Sequence, residues 1–588
     1  MRKFLSLLLA LVMVLCCIPA VAETADGVYE GTGAGLNGAI KVSVTVSGGK
    51  ITEVKVLEHS ETAGISDPAI EKIPAAIVEA QSADVDIVSG ATFTSKGIIE
   101  AVKNALNPDE AKEATMPFEQ ADVLVIGAGM AGLATAARAA ELGLNVLVVD
   151  QAATYGGSAN VAGGTLLGAG TRMQKEAGIE DDPDLCFADF VRLGGAGTFN
   201  EEIAREFSQI SGEAVDWLDD LGTDFGDRVP YFGVYQPLNV ARNYSGKGGA
   251  RAFVVSLYAE LEKYFSTNAY MMLNTYVTGL VTNDEGAVIG AKARLADGTE
   301  TTLLAPATVV CTGGYAGNEE LLNKYNFENV LSTSPACVTG DGYAWLEELG
   351  APLTNMDFCT AYAGGIPTSD DFRSFGYFNA TNGALWINTN GERMADETGA
   401  DSHVKSETWA NAPHNIVYTV FSSEMLIPDA KVFSTGAWGS VKEEFDPYVE
   451  SLIEKGLAWK ADTIEELAEK VDLPVDAFKA TIAAYNDGCA NGNDPFGRTK
   501  QEVAMANGPF YAVKTVPYVM ITCGGPMMTK NCEVLNSDGL VIEGVYMAGE
   551  IVGMANVGGR NSIGGMGHGN CLVWGKKAAE VIAAKLGK

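Results

Sequence analysis

The chain has 588 residues, 47% of them hydrophobic, with 68 glycines and 75 acidic against 40 basic residues, a formal net charge of −35. That length buries several large cores, and so strong an acidic excess disfavours nucleic acid and anionic membrane surfaces as partners. Four histidines, and ten cysteines without a single Cys-x-x-Cys, argue against a histidine-built metal site, a c-type haem and an iron–sulfur cluster.

Residues 1–22 read as a signal peptide. Arg2 and Lys3 supply the charged start, Phe4 to Leu15 the apolar core, and Ala20-Val21-Ala22 an Ala-x-Ala cleavage site. The apolar run is too short to favour spanning a bilayer. The mature protein is therefore expected to be exported, outside the cell or on the outer face of the cytoplasmic membrane. Cys16 and Cys17 leave a lipoprotein signal as the second reading.

Residues 25–106 read as a small α+β unit. Ile40, Val42, Val44 and Val46 alternate with polar residues, a half-buried strand; Gly48-Gly49 turns the chain and Ile51 to Val56 returns. Ile98, Ile99, Val102, Ala105 and Leu106 mark one face of a helix. Ahead of that helix stands Ser89-Gly90-Ala91-Thr92, with His59-Ser-Glu61-Thr62 upstream. Ser and Thr are ordinary helix caps. Together with the strand pattern, however, these motifs resemble the FMN-binding domain of sodium-pumping NADH:quinone reductase subunits and extracellular flavoprotein reductases. The resemblance implies that a flavin transferase joins FMN covalently to Thr92. Residues 107–120 are polar with two prolines and read as a linker.

The most informative stretch follows. Val123 to Ile126 is a buried strand that runs into Gly127-Ala-Gly129-Met-Ala131-Gly132, an Ala-rich helix from Leu133 to Leu142, a second apolar run from Val146 to Val149, and Asp150. In a βαβ unit of this kind Gly127 permits the tight turn, Gly129 lets backbone approach a pyrophosphate, Gly132 lets helix pack on strand, and the acid takes a ribose. The helix N-terminus offers N–H groups to the phosphates. A second glycine-rich turn comes next, Gly156-Gly157-Ser158-Ala159-Asn160, then Gly163-Gly164.

Those turns, with Thr312-Gly-Gly-Tyr315, Thr339-Gly-Asp-Gly342 and Gly544-Val-Tyr-Met-Ala-Gly549-Glu550, resemble the fumarate reductase and succinate dehydrogenase flavoproteins over roughly Asp122 to Leu586. The resemblance implies an α/β fold: a Rossmann-like FAD-binding domain in two parts (121–357 and 520–588), an inserted α+β capping domain (358–519), and non-covalent FAD. It implies cofactor contacts at Val277 and at Glu550, whose carboxylate would meet the ribityl chain. Gly567 and His568, at the start of the last helix, would serve the pyrimidine end.

In that family hydride passes to an activated alkene, an arginine donates the proton, and arginines and histidines clamp the carboxylates. Carried over residue by residue, the proton-donor arginine falls at Asp401, with His403 close by. Its glutamate relay falls at Tyr377, the two substrate histidines at Tyr362 and Ile521, and the carboxylate-binding arginine at Ser562, two residues from Arg560. Charged groups give way to tyrosines and apolar residues, so a dianion such as fumarate would lack its counter-charges. The expected acceptor is a small alkene of lower charge, an enoate or enone. Arg560 would take one carboxylate, and Tyr362 or Tyr377 would donate a proton or polarise a carbonyl. Electrons are expected to enter from a membrane donor through FMN and pass to FAD. Urocanate reductase, a ketosteroid-type dehydrogenase and a non-catalytic flavin electron carrier are the alternatives.

Overall fold

The computed structural model describes residues 25–35, 39–59, 61, 66–88, 91–106, 116–233, 238–379, 383–398, 408–409, 411–427, 431–436, 439–498 and 503–588, leaving aside the side chains of 34, 92 and 93. The expected signal peptide, most of the expected linker, Ser89, Gly90, Asp401 and His403 lie outside the described residues. The chain divides into two compact units, Met1–Met116 with Ala152–Thr154, and Pro117–Gln151 with Tyr155–Lys588.

In the first unit the strands Gly27–Ala34, Ala39–Ser47 and Lys50–Glu58 form an antiparallel sheet. Its alternation buries Ile40, Val42, Val44 and Val46 against the helices Asp67–Ala80 and Thr92–Leu106. The second helix lies very close to the first strand: a Cβ on Gly31 would fall 2.2 Å from the Ala101 carbonyl oxygen, so only glycine allows this spacing.

The second unit is built on a six-stranded sheet in the order Glu533–Leu535, Val541–Met547, Ala307–Val310, Val123–Ile126, Val146–Val149, Ala269–Met272. The pairs among the last five strands are parallel, and the three central strands are buried along their whole length, as a sheet covered on both faces requires. The first helix runs from Met130 to Glu141, three residues ahead of the expected start, because its opening turn is the glycine motif itself. A meander of Tyr276–Thr282, Val288–Arg294 and Glu300–Leu304 leads into the central strand.

The inserted part is a second α+β layer with its own core. A nine-stranded sheet gathers around the 13-residue strand Phe510–Thr522, flanked by the helices Ile464–Val471 and Val475–Asn491. Arg393 and Arg498, both buried, share the Glu397 carboxylate, and Arg393 also pairs with Asp494. This four-charge cluster pins the turn after Leu385–Ile387 to the end of the long helix. The fold is thus the expected α/β arrangement with an inserted α+β layer and a small α+β unit ahead of it.

Among the described residues no helix is long and apolar enough to cross a membrane and no cluster of His, Cys, Asp and Glu is fit to hold a metal. The cysteines from Cys186 onwards are free thiols.

Candidate functional site

The strand Val123–Ile126 delivers its glycine turn to the C-terminal edge of the parallel sheet, where open α/β folds bind nucleotides. Gly127 has φ +108°, and a Cβ there would meet the Cys311 carbonyl oxygen at 2.4 Å. At Gly132 a Cβ would sit 1.7 Å from the Gly127 carbonyl oxygen. Gly129 differs from both. It caps the helix at φ −70°, and a Cβ on it would enter open space. The three glycines therefore do the three separate jobs a pyrophosphate cradle needs. Ala131, buried in the first helical turn, fits under Gly549. Asp150, at the end of the next strand, accepts the Ala128 N–H through Oδ2 at 2.6 Å, so the acid also braces the loop it faces.

The second glycine turn packs on the first. Gly156 donates its N–H to the Ala128 carbonyl at 2.8 Å, and Gly157 leads a short 3-10 turn through Ser158, Ala159 and Asn160. Gly163 faces open space, whereas Gly164, at φ +80°, abuts the Ala250 backbone. Val277 is buried among Leu124, Leu147 and Trp345, so its side chain serves the core and only its backbone is available to a ligand.

Glu550 follows the strand Val541–Met547 and Gly549. Its Oε1 accepts both the N–H and the hydroxyl of Thr522, at 2.9 and 2.8 Å, and lies where a side chain on Gly314 would have to go. Desolvation outweighs those hydrogen bonds and pushes the carboxyl up to about 6. Glycine at 314 and threonine at 522 thus hold a half-buried acceptor in place, as a ribityl hydroxyl requires. The C-terminal helix Met566–Lys585 starts at Gly565. Gly567 faces Ile521. Two residues into the helix, His568 Nδ1 lies 2.8 Å from the Thr165 carbonyl oxygen. A carbonyl only accepts, so Nδ1 carries the proton. Desolvation lowers the imidazole pKa, leaving the ring neutral with Nε2 as an acceptor.

Beside this helix start lie residues that the resemblance assigns to the substrate. Thr360, on the strand Cys359–Ile366, pairs in register with Ile521, and its hydroxyl is 3.1 Å from that of Ser562 and 3.6 Å from Cys523 Sγ. Thr360 and Ser562 are buried. Two residues along, Tyr362 tilts against Tyr518 at 5.6 Å between ring centres. Tyr377 meets the same Tyr518 edge-on at 5.4 Å and packs on Phe375 at 4.6 Å. Tyr377 is buried with Leu331 and Val516 in a small core of its own, while Tyr362 is half-buried. Arg560 lies over Phe358 and pairs with Asp357 at 2.7 Å, partly exposed. Thr360, Thr522, Tyr518 and Asn243, which donates to the Gly564 carbonyl at 2.7 Å, carry no sequence motif. Their partners lie 28 to 321 positions away, and only the fold joins them.

In the first unit Thr92 is the first residue of its helix. The Thr94 hydroxyl donates to the buried Glu61 carboxylate, and the Ser95 hydroxyl donates to the Ala91 carbonyl while accepting the Val88 N–H. These bonds tie the first helical turn to the segment before it and to Glu61, which fixes Thr92 at a helix N-terminus suited to a phosphate.

These features suit two flavins, and the family comparisons agree. A family model described as "FAD binding domain" matches residues 122–567, and one described as "FMN-binding domain" matches residues 35–107. The chain is 28% identical to the NADH:acrylate oxidoreductase of Vibrio harveyi over 94% of its own length, and it spans only 61% of that relative. It is also 28% identical to the urocanate reductase of Eggerthella lenta, over 95% of this chain and 92% of that one. Among solved structures, the open conformation of a flavocytochrome c3 fumarate reductase superposes with a TM-score of 0.59 at 25% identity, covering 85% of this chain and 84% of that one. The chain therefore belongs to the FAD-binding family of fumarate-reductase-like flavoprotein oxidoreductases and carries an FMN-binding domain ahead of its FAD-binding fold.

Proposed function

We propose that this chain is an exported two-flavin reductase that saturates the carbon–carbon double bond of a monocarboxylate enoate or an enone, rather than of fumarate. FMN, attached at Thr92 by a flavin transferase, supplies the electron entry from a membrane donor, and FAD supplies the hydride. The observation that carries the substrate class is the neutral lining beside the C-terminal helix: the Thr360–Ser562 hydroxyl pair, Ile521, Tyr362 and Tyr518. The cation nearest in sequence, Arg560, is already paired with Asp357. Among the described residues, a dicarboxylate brought there would find little to replace the water lost at two charges. Two relatives' names, an acrylate oxidoreductase and a urocanate reductase, denote monocarboxylate acceptors and support the reading, while others at 28–29% identity are named for fumarate.

The protein's own groups divide the work. Gly129 and the helix behind it hold the pyrophosphate, Asp150 and Glu550 accept hydroxyls, and the N–H groups from Gly565 onwards stabilise negative charge at the pyrimidine edge. Arg560, swung from Asp357, takes the single carboxylate. Tyr362 delivers the proton: a phenol titrates near ~10 and stays a donor at neutral pH without further tuning.

The test is anaerobic reoxidation of the dithionite-reduced protein, carrying both flavins, by acrylate, cinnamates, urocanate, fumarate and 3-ketosteroids. Rapid reoxidation by a monocarboxylate or enone is expected. Response to the steroids alone, with every monocarboxylate silent, would narrow the acceptor to a ketosteroid enone and remove the monocarboxylate reading. Silence with both flavins bound would favour an electron carrier.

A further inference from the structure

The strand Cys359–Ile366 pairs antiparallel with Phe510–Thr522, but the register shifts twice. Thr360 faces Ile521, Ala361 faces Val519, Tyr362 faces Tyr518, and Gly365 faces Val516. Met520 is therefore an extra residue in the long strand, and a second extra residue falls between Tyr362 and Gly365 in its neighbour. The Tyr362–Tyr518 rung stands between the two bulges.

The first bulge sets where Tyr518 points. Residues three apart in a regular strand project from opposite faces. A bulge re-aims side chains, and the extra Met520 puts Tyr518 on the same face as Ile521, opposite Tyr362 and Thr360, which are two apart and share that face. The face looks toward the start of the C-terminal helix. There the Thr360 hydroxyl meets that of Ser562 at 3.1 Å, and Ile521 Cδ1 lies 2.9 Å from where a Cβ on Gly567 would stand.

Three levels follow along this face. Arg560 lies over Phe358, Ser562 meets Thr360, and Tyr518 meets Tyr362, in steps of about 7 Å. The third level is aromatic on both strands and is braced: Phe375 lies 5.5 Å and Tyr377 5.4 Å from Tyr518 between ring centres, and both are buried. Tyr362 and Tyr518 themselves are only half-buried. A firmly held, half-open pair of rings is a surface for another ring. Acrylate, with its carboxylate at Arg560 and its alkene beside Thr360 and Ser562, has no atom left for this level. A group carried on the β-carbon reaches it.

We propose that Tyr518 is a specificity-determining residue that packs against an aromatic ring on the β-carbon of the acceptor, so that the preferred substrate is a 3-aryl enoate rather than acrylate itself. Tyr362 completes the surface from the neighbouring strand. This deepens the reductase reading above and rests on it.

The test compares cinnamate with acrylate in the full-length protein carrying both flavins, by anaerobic turnover with reduced methyl viologen. Tyr518→Leu should lower the cinnamate-to-acrylate ratio of kcat/KM about three- to tenfold, mainly through the KM for cinnamate, because the lost surface acts on binding. Tyr518→Phe, which keeps the ring, should hold the ratio within about twofold of wild type. If Tyr518→Leu does not fold by circular dichroism, the oxidised wild-type protein is titrated with 3-phenylpropanoate and 3-cyclohexylpropanoate, read by flavin absorbance. The flat aromatic ligand should bind at least about threefold more tightly. An unchanged ratio in folded Tyr518→Leu, an equal drop in Tyr518→Phe, or no preference for the aromatic ligand overturns the proposal and leaves the reductase reading standing. Turnover of neither enoate overturns the enoate reading itself, a result distinct from turnover that ignores Tyr518.

Discussion

Two alanine substitutions three residues apart should fail in opposite ways. At Gly132 an added Cβ lies 1.7 Å from the Gly127 carbonyl oxygen, less than half of normal contact. The helix must move off the strand by more than about 1 Å, and strain of this kind costs about 1–3 kcal/mol or more. The gain in helix propensity, about 1 kcal/mol, offsets only part of it. At Gly129 the backbone, φ −70° and ψ −175°, suits any residue and the Cβ meets nothing. Gly129→Ala should therefore change apo-protein stability by no more than about 0.5 kcal/mol. Its methyl group, however, occupies the approach of the pyrophosphate, and FAD affinity should fall at least about tenfold, about 1.4 kcal/mol. Thermal unfolding of FAD-stripped protein, followed by FAD titration, separates the two effects. Gly129→Ala binding FAD at wild-type strength would refute the assignment of the cradle, and Gly132→Ala as stable as wild type would refute the close-packing argument.

Further outcomes are expected at four residues. Glu550 has a native pKa near 6 against an ordinary 4.5. It opposes folding once ionised, so its cost is nil below about pH 4.5 and grows to an order of 2 kcal/mol as pH rises through 6. Glu550→Gln should flatten apo-protein stability across that window, and an unchanged pH profile would show that Glu550 is better solvated than its surroundings suggest. Arg242→Met leaves Asp181 buried without its cation and Asp189 with Arg192 alone and should cost about 3–5 kcal/mol in denaturant unfolding; a loss below about 1 kcal/mol would refute the part given to this buried pairing. Thr92→Ala, co-expressed with a flavin transferase, should lose flavin fluorescence on a denaturing gel yet keep FAD, and a surviving band would move the attachment point elsewhere. Arg560 is partly exposed, so Arg560→Gln should cost under about 1 kcal/mol of stability. It should raise KM for monocarboxylates about tenfold and leave neutral enones untouched, since a lost charge pairing acts on binding; equal effects on both would remove Arg560 from carboxylate binding.

The nucleotide cradle was legible because its physics is local. Gly127, Gly129 and Gly132 act within one turn, and Val123–Ile126 and Val146–Val149 are short apolar runs that can only be buried strands in that context. The alternation from Ile40 to Val46 was readable for the same reason. Boundaries were less so. The helix Met130–Glu141 starts three residues ahead of the expected Leu133, because its opening turn is the glycine motif itself. The site's walls were legible only in part: the resemblance placed Tyr362, Ile521 and Ser562 there, but not the residues that hold them. Thr522 holds Glu550, Asn243 holds Gly564 and Ser562 meets Thr360 across long sequence separations. Of the buried charge cluster in the inserted layer, only the Arg393–Glu397 pair, four residues apart, could be suspected; Asp494 and Arg498 arrive from the segment after the long helix, about a hundred residues away.

The most direct measurement is the ratio of anaerobic reoxidation rates of the reduced two-flavin protein with a monocarboxylate enoate, such as acrylate or cinnamate, and with fumarate at equal concentration. The lack of fixed cations among the described residues around Thr360, Ser562 and Ile521 predicts a ratio of at least about a hundred, since pairing one buried charge is worth about 3 kcal/mol. Fumarate reoxidising the protein as fast as the monocarboxylate, or faster, would contradict the neutral site and return the chain to the dicarboxylate reductases it resembles.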